Sequence, residues 1–122
     1  MTIITKKADL ATYITKDHSS ICELMHPEQH HNHNQSLAQA VVQPGQETQL
    51  HYHVKTEELY HILEGQGLMT LNTESFNVEP GDTICIPANS KHKIKNTANT
   101  NLVFLCCCSP AYSHNDTFIL DK

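Results

Sequence analysis

Four side chains in the middle of the chain, His51, His53, Glu58 and His92, have the types and spacing to hold one divalent metal ion. His51 and His53 are two residues apart, and on a β-strand that spacing turns both imidazoles to one face. A turn through Val54 to Glu57 lets the next strand return alongside, with Glu58 at its start facing the same interior. His92 begins a later strand that must lie across from these. Imidazole nitrogens and one carboxylate oxygen form a mixed donor set suited to iron, manganese, nickel, cobalt or zinc. Four protein ligands around a six-coordinate ion leave two adjacent positions for water, dioxygen or a bidentate substrate. A single strand histidine is usually a surface or hydrogen-bonded core residue, so the weight rests on the set. His61 lies on the opposite parity from Glu58 and should face outward. His18, His26 and His114 have no arguable partner.

The same parity fills in the rest of the pocket. Gln49, Tyr60, Ile62 and Ile94 should share the interior with the ion, and Tyr60 is the one obvious proton donor and catalytic candidate among them. Lys91, Lys93 and Lys95 alternate against His92, Ile94 and Asn96, which places their ammonium groups on the outer face as a solvated, strand-repelling edge. All eight basic residues are lysines. Without arginine the chain lacks the planar fork that clamps phosphate or dicarboxylate groups bidentately. A phosphorylated sugar would have only the metal to offset its charge. The last strand leaves its parity open: either Cys107, or Cys106 and Cys108, face inward, most simply as small buried hydrophobes.

These positions need a β scaffold, and the sequence supplies one. Strand-like runs recur at Ile21–Met25, Leu37–Val42, Gln49–His53, Leu59–Leu63, Leu68–Asn72, Phe76–Glu79, Thr83–Ile86, His92–Asn96 and Leu102–Cys108. Turn signals separate them at Pro44-Gly45, Gly65-Gln66-Gly67, Pro80-Gly81 and Ala88-Asn89. Many short strands with such punctuation predict an all-β sandwich or closed barrel, which covers or removes its sheet edges. Asp9 is the expected cap of a short helix from Leu10 to Lys16. The polar segment from His26 to Gln35, with His30, His31 and His33, reads as a solvated loop.

Length and composition bound the function. A chain of 122 residues fits one domain, 1–122, with a peripheral segment 1–19 and a metal-binding core 36–108. The net charge of −5 argues against nucleic acid or an anionic membrane surface as partner. Five cysteines, three of them adjacent, read as reduced thiols of a cytoplasmic protein. No apolar run is long enough to span a bilayer and Met1 to Leu10 shows no signal-peptide apolar region, so the expectation is a soluble protein without a cleavable signal or an appended DNA-binding segment.

The two blocks that carry the ligands resemble the paired motifs of the cupin superfamily. Gly45, His51, His53, Glu58 and Gly65 fit Gly-x5-His-x-His-x4-Glu-x6-Gly at every position. Gly81, Pro87, His92 and Asn96 fit the second motif, Gly-x5-Pro-x-Gly-x2-His-x3-Asn, with Asn89 where the family usually has glycine. That position asks for a positive φ, which asparagine tolerates best after glycine. The resemblance implies a double-stranded β-helix, or jelly-roll barrel, with His51, His53, Glu58 and His92 as ligands near one mouth. Glu57-Glu58-Leu59-Tyr60, Leu63-Glu64-Gly65 and Pro80-Gly81-Asp82 also look like the compact mannose-6-phosphate isomerase-like cupins, which implies a homodimer formed by packing or exchanging N-terminal strands. The expected function is a metal-dependent enzyme of oxygenase or dioxygenase type acting on a small neutral or weakly anionic molecule. The alternatives are a metal-dependent isomerase or lyase using Tyr60, and a non-catalytic small-ligand binding cupin.

Overall fold

The computed structural model of the chain describes residues 2–120; Met1, Asp121 and Lys122, the ends of the expected domain, lie outside the described residues. The strands are β1 (Thr12–Ile14), β2 (Ser20–Met25), β3 (Ser36–Val42), β4 (His51–His53), β5 (Glu57–Glu64), β6 (Gly67–Leu71), β7 (Glu74–Val78), β8 (Thr83–Ile86), β9 (His92–Asn96), β10 (Leu102–Ser109) and β11 (Thr117–Ile119). They form a six-stranded sheet in the order β1-β2-β3-β10-β5-β8 and a five-stranded sheet in the order β11-β4-β9-β6-β7, the two faces of a jelly-roll barrel. The paired strands run antiparallel.

Period-two alternation drives this closure. In β3, Ser36, Ala38, Ala40 and Val42 are buried while Leu37 faces out, and β5 buries Glu58, Tyr60 and Ile62. From the two sheets Ile62, Met69, Ile94, Leu102 and Phe104 meet in a core where none is more than 1% exposed. Burying each such side chain fully is worth roughly 1.5–3 kcal/mol.

Turn chemistry then fixes the register. The stretch Gln66 to Pro80 forms the single β6–β7 hairpin, with Gly67 opposite Val78 and Leu71 opposite Glu74. Gly65 adopts φ +83°, and a Cβ there would lie 2.4 Å from the Asn101 carbonyl oxygen, so no other residue fits without displacing backbone. Asn89 takes φ 68°, the left-handed conformation its motif position requires.

Three expectations are corrected. Instead of a helix from Leu10 to Lys16 there is a 3-10 turn at Lys7–Asp9 followed by β1, which pairs Thr12 with Cys22 and Ile14 with Ser20. β-Branched Thr12 and Ile14 around Tyr13 favour a strand once a partner is at hand. The region His26 to Gln35 is not uniformly a solvated loop, because Pro27–His30 makes one helical turn and His26 is buried. Its Nε2 lies 2.7 Å from the Tyr112 carbonyl oxygen, and Nδ1 accepts from the Glu28 amide.

The third correction concerns β4 and β5, which do not return side by side. β4 lies between β11 and β9, whereas β5 lies between β10 and β8 in the other sheet. The connection between them turns a corner held by Asp116, whose carboxylate accepts from the amides of Val54, Lys55 and Thr56. Thr56 Oγ1 donates to the Pro110 carbonyl at 2.9 Å. Glu58 therefore approaches the histidines from across the barrel.

Candidate metal centre

Strand register brings the three imidazoles together. His51 on β4 stands directly opposite His92 on β9, and their ring centroids are 4.1 Å apart. His53, two residues along the same face, has its ring 5.2 Å from that of His51 and 5.6 Å from that of His92. One nitrogen from each lies within 4.8 Å of the others. From the opposite sheet Glu58 Oε1 reaches to 3.5 Å from His53 Nε2 and 3.4 Å from His92 Nε2. All four residues are buried, His92 completely.

Hydrogen bonds on the far side of each ring decide which nitrogen faces the centre. His51 Nδ1 donates to the Gln49 carbonyl at 2.8 Å, and His92 Nδ1 to the Ser90 carbonyl at 2.9 Å. His53 Nδ1 lies 3.2 Å from Thr117 Oγ1, whose own proton goes to the Ser113 carbonyl at 2.9 Å, so the threonine accepts from the ring. Each Nε2 is then a bare lone pair turned inward, the arrangement in which an outer acceptor fixes the tautomer of a ligating histidine.

This arrangement tests whether a cation fits. Glu58 Oε1 and His92 Nε2 are buried without any hydrogen-bond partner. Two acceptors facing each other at 3.4 Å would repel, and an unsatisfied buried polar group costs about 1–3 kcal/mol. A divalent ion between them removes both penalties. Bonds of about 2.0–2.2 Å place neighbouring octahedral ligands about 3.0 Å apart and opposite ones about 4.2 Å apart, so the 3.4 and 3.5 Å gaps from Glu58 to His92 and His53 close by about half an ångström when an ion is seated. The donor set fits a mononuclear divalent ion.

Without an ion, protons compete for the same seat. Burial, helped by the nearby His92 and opposed by Asp17, lowers the pKa of His51 to about 4. Burial also acts to lower His53, but contact with Glu58 outweighs it and the net shift is upward. Glu58 is the converse: burial acts to raise its pKa, yet the two imidazoles hold the carboxyl well below the usual range.

His51, His53 and Glu58 open onto a cavity with about 40 Å³ of water-accessible space, enough for a few small-ligand atoms, while His92 lies fully buried behind its wall. Tyr60 lines it, its ring edge-on to His92 at 6.0 Å and packed on Phe104 at 4.6 Å. Burial, helped by Glu58, pushes the Tyr60 phenol well above its ordinary pKa and keeps it protonated. Cys106 and Cys108 also face inward, which fixes the open parity, and Cys108 Sγ donates to Glu58 Oε2 at 3.4 Å. Burial, reinforced by Glu58, raises both thiols.

The remaining residues singled out from the sequence fall away from the cavity wall. Ile62 and Ile94 have the inward parity but lie among the core residues rather than on the cavity wall. Gln49 is half-buried and off the wall, and it serves the site through the carbonyl that holds His51. His61 is partly exposed and hydrogen-bonds the Thr83 hydroxyl, away from the ion. Lys91 and Lys95 are exposed, and Lys93 pairs with Glu47 at 3.6 Å.

Two site residues escaped sequence reasoning. Thr117 lies on β11, a strand too short to announce itself. Asp17 sits in the turn between β1 and β2, inside the segment read as peripheral, yet it is buried and its Oδ2 is 3.5 Å from His51 Nε2. The clustered Thr15, Asp17 and Ser19 were the available signal, because such residues build local turns that aim a carboxylate.

Comparison with known proteins agrees with this architecture. The cupin domain family matches residues 38–108. An uncharacterised protein of Methanocaldococcus jannaschii is 52% identical over 122 residues, covering 99% of this chain and 98% of its own. The oxalate-binding protein of Thermotoga maritima is 32% identical over 90 residues, 74% of each chain. Among solved structures, a predicted oxalate decarboxylase of Thermotoga maritima superposes with a TM-score of 0.77 at 26% identity, covering 90% of this chain and 99% of that one. A Streptomyces nucleoside dehydratase superposes with a TM-score of 0.79 at 15% identity over 99% of this chain and 92% of its own, a likeness of fold alone. Barrel, motif spacing and these similarities together make the chain a member of the cupin superfamily.

Proposed function

We propose that this cupin is a metal-dependent enzyme acting on a small neutral or weakly anionic molecule bound at one divalent ion held by His51, His53, Glu58 and His92, with an oxygenase or dioxygenase-type reaction as the leading reading. The observation that carries it is the clustering of three anchored imidazoles, two of which face a buried Glu58 oxygen that has no hydrogen-bond partner. When bound, the ion supplies a Lewis acid, and with iron or manganese a redox centre, at positions the four ligands leave open. The chain's own residues hold the imidazoles through Gln49, Ser90 and Thr117, exclude bulk water with Ala38, Ala40 and Phe104, and offer the Tyr60 phenol.

The cavity chemistry supports the substrate class. No lysine lines it, whereas Asp17, Glu23 and Glu58 do, so the ion alone would offset a ligand's negative charge. That disfavours phosphorylated sugars. Substrate-dependent oxygen uptake by the iron- or manganese-loaded protein, screened over small hydroxy and keto compounds, tests the reaction class.

Two observations favour other readings. The Tyr60 phenol on the cavity wall supports an isomerase or lyase that moves a proton, which predicts turnover unchanged under anaerobic conditions. The 32%-identical relative is named an oxalate-binding protein, which favours a non-catalytic binder and predicts tight ligand binding without turnover.

The same reading takes residues 1–122 as one cupin domain of a cytoplasmic homodimer, with no nucleic acid or membrane partner. The free cysteines support a reducing compartment, and no described helix is long and apolar enough to cross a membrane. On the outer face, strand register aligns Met25, Leu37, Cys107, Leu59 and Cys85 in one row across the six-stranded sheet. Leu37 and Leu59 are 38% and 40% exposed there, which supports dimerisation through this face. Light scattering of wild type and Leu59→Lys checks it: a dimer that becomes a monomer is expected, and a wild-type monomer contradicts it.

A further inference from the structure

The turn between β1 and β2 carries a second carboxylate into the metal cavity. Asp17 is 8% exposed, and its Oδ1 takes up every local donor: the hydroxyls of Thr15 and Ser19 and the Ser19 amide at 3.1 Å. Its backbone carbonyl accepts from the Gln49 amide at 2.9 Å, which ties the turn to the entry of β4. The other oxygen, Oδ2, is left facing His51 Nε2 at 3.5 Å. His51 donates its Nδ1 proton to Gln49, so Nε2 offers only a lone pair. An acceptor thus faces an acceptor, as Glu58 Oε1 faces His53 and His92 at 3.5 and 3.4 Å, although Oε1 is fully buried whereas the Asp17 side chain keeps slight exposure. A cation near Nε2 turns this contact from repulsive to attractive.

We propose that Asp17 is a fifth protein ligand of the resting metal centre, occupying through Oδ2 one of the two positions that His51, His53, Glu58 and His92 leave open. This deepens the metal-site reading above and rests on it. Two carboxylates neutralise a divalent ion, which favours a neutral ligand. A substrate then binds through one atom, or binds through two by displacing Asp17. The N-terminal hairpin, though outside the motif-bearing strands, thereby controls access to the ion.

The experiment uses the full-length protein loaded with manganese(II), counting metal-bound water by pulsed electron paramagnetic resonance in isotopically labelled water and measuring affinity by chelator competition. Wild type is expected to show one bound water. Asp17→Asn keeps an acceptor for the Ser19 amide but replaces the ligating oxygen with an amide, and should show two waters and at least tenfold weaker manganese binding, the scale of losing a group that supports a ligand. Asp17→Ala should match it in water count, and thermal melts of both variants check that the barrel is intact. Two waters in wild type with unchanged count and affinity in both variants would overturn the proposal while leaving the four-ligand site standing. Failure of wild type to bind manganese, cobalt, nickel, iron or zinc would overturn the metal reading itself, and this proposal with it.

Discussion

Thr117→Val isolates what an outer partner does for the metal site without touching a proposed ligand. Thr117 is 1% exposed, and its hydroxyl accepts from His53 Nδ1 at 3.2 Å while donating to the Ser113 carbonyl at 2.9 Å. Valine fills nearly the same volume, so the change deletes two hydrogen bonds and opens no large cavity. His53 is then free to turn or to move its proton to Nε2, where it opposes metal binding. Losing such a partner lowers metal affinity about 10–100-fold, which is about 1.4–2.7 kcal/mol. The metal-free fold should also lose about 1–3 kcal/mol, because a buried donor and acceptor are left unpaired. Thr117→Ser retains the hydroxyl and should restore affinity to near wild type. Chelator competition with cobalt(II) at fixed pH reads the first effect, and urea unfolding of the metal-free protein reads the second. Wild-type affinity in Thr117→Val, or an equal loss in Thr117→Ser, would refute the tautomer argument.

Three further outcomes follow from the same geometry. In the metal-free protein the pKa of His51 falls from 6.5 unfolded to about 4 folded, so the unfolded chain binds the extra proton in that window. Stability should drop as pH falls from about 6.5 to 4, by at most about 3 kcal/mol from this residue, partly offset by the opposite shift of His53; His51→Gln should flatten the urea-midpoint slope, and a profile identical to wild type contradicts it. Cys85 is exposed whereas Cys22, Cys106 and Cys108 are buried, so timed alkylation read by mass spectrometry should modify Cys85 first and spare the buried three until unfolding. Asn96 donates to the carbonyls of Val42 and Thr100 and accepts from the Ala98 amide. Its replacement by alanine should destabilise the fold by about 2–4 kcal/mol while leaving the metal content per folded chain unchanged.

The motif-bearing half of the chain was legible because its information is local. The His51-Tyr52-His53 spacing fixes a common face whatever surrounds it, and Gly65 and Asn89 mark backbone conformations that few residues tolerate. Parity also placed Tyr60 inside and His61 outside. Parity gives direction but not depth along the barrel, which is why Ile62 and Ile94 point inward yet line the core instead of the cavity. Partner choice was not legible. Nothing in the short link from His53 to Glu57 distinguishes a hairpin from a corner, because the corner is held by Asp116, about sixty residues away in sequence. Asp17, β1 and β11 were missed for the same reason: three-residue strands carry too little pattern, and their roles depend on long-range pairing.

Elemental analysis of untagged protein purified without chelators tests the central claim most directly. One equivalent of a divalent transition metal per chain is expected in wild type and in His61→Ala, with strong loss in His51→Ala, His92→Ala and Glu58→Ala. Metal at the wild-type level in all three site variants, or an equal loss in His61→Ala, would contradict the convergence of these four side chains on one ion.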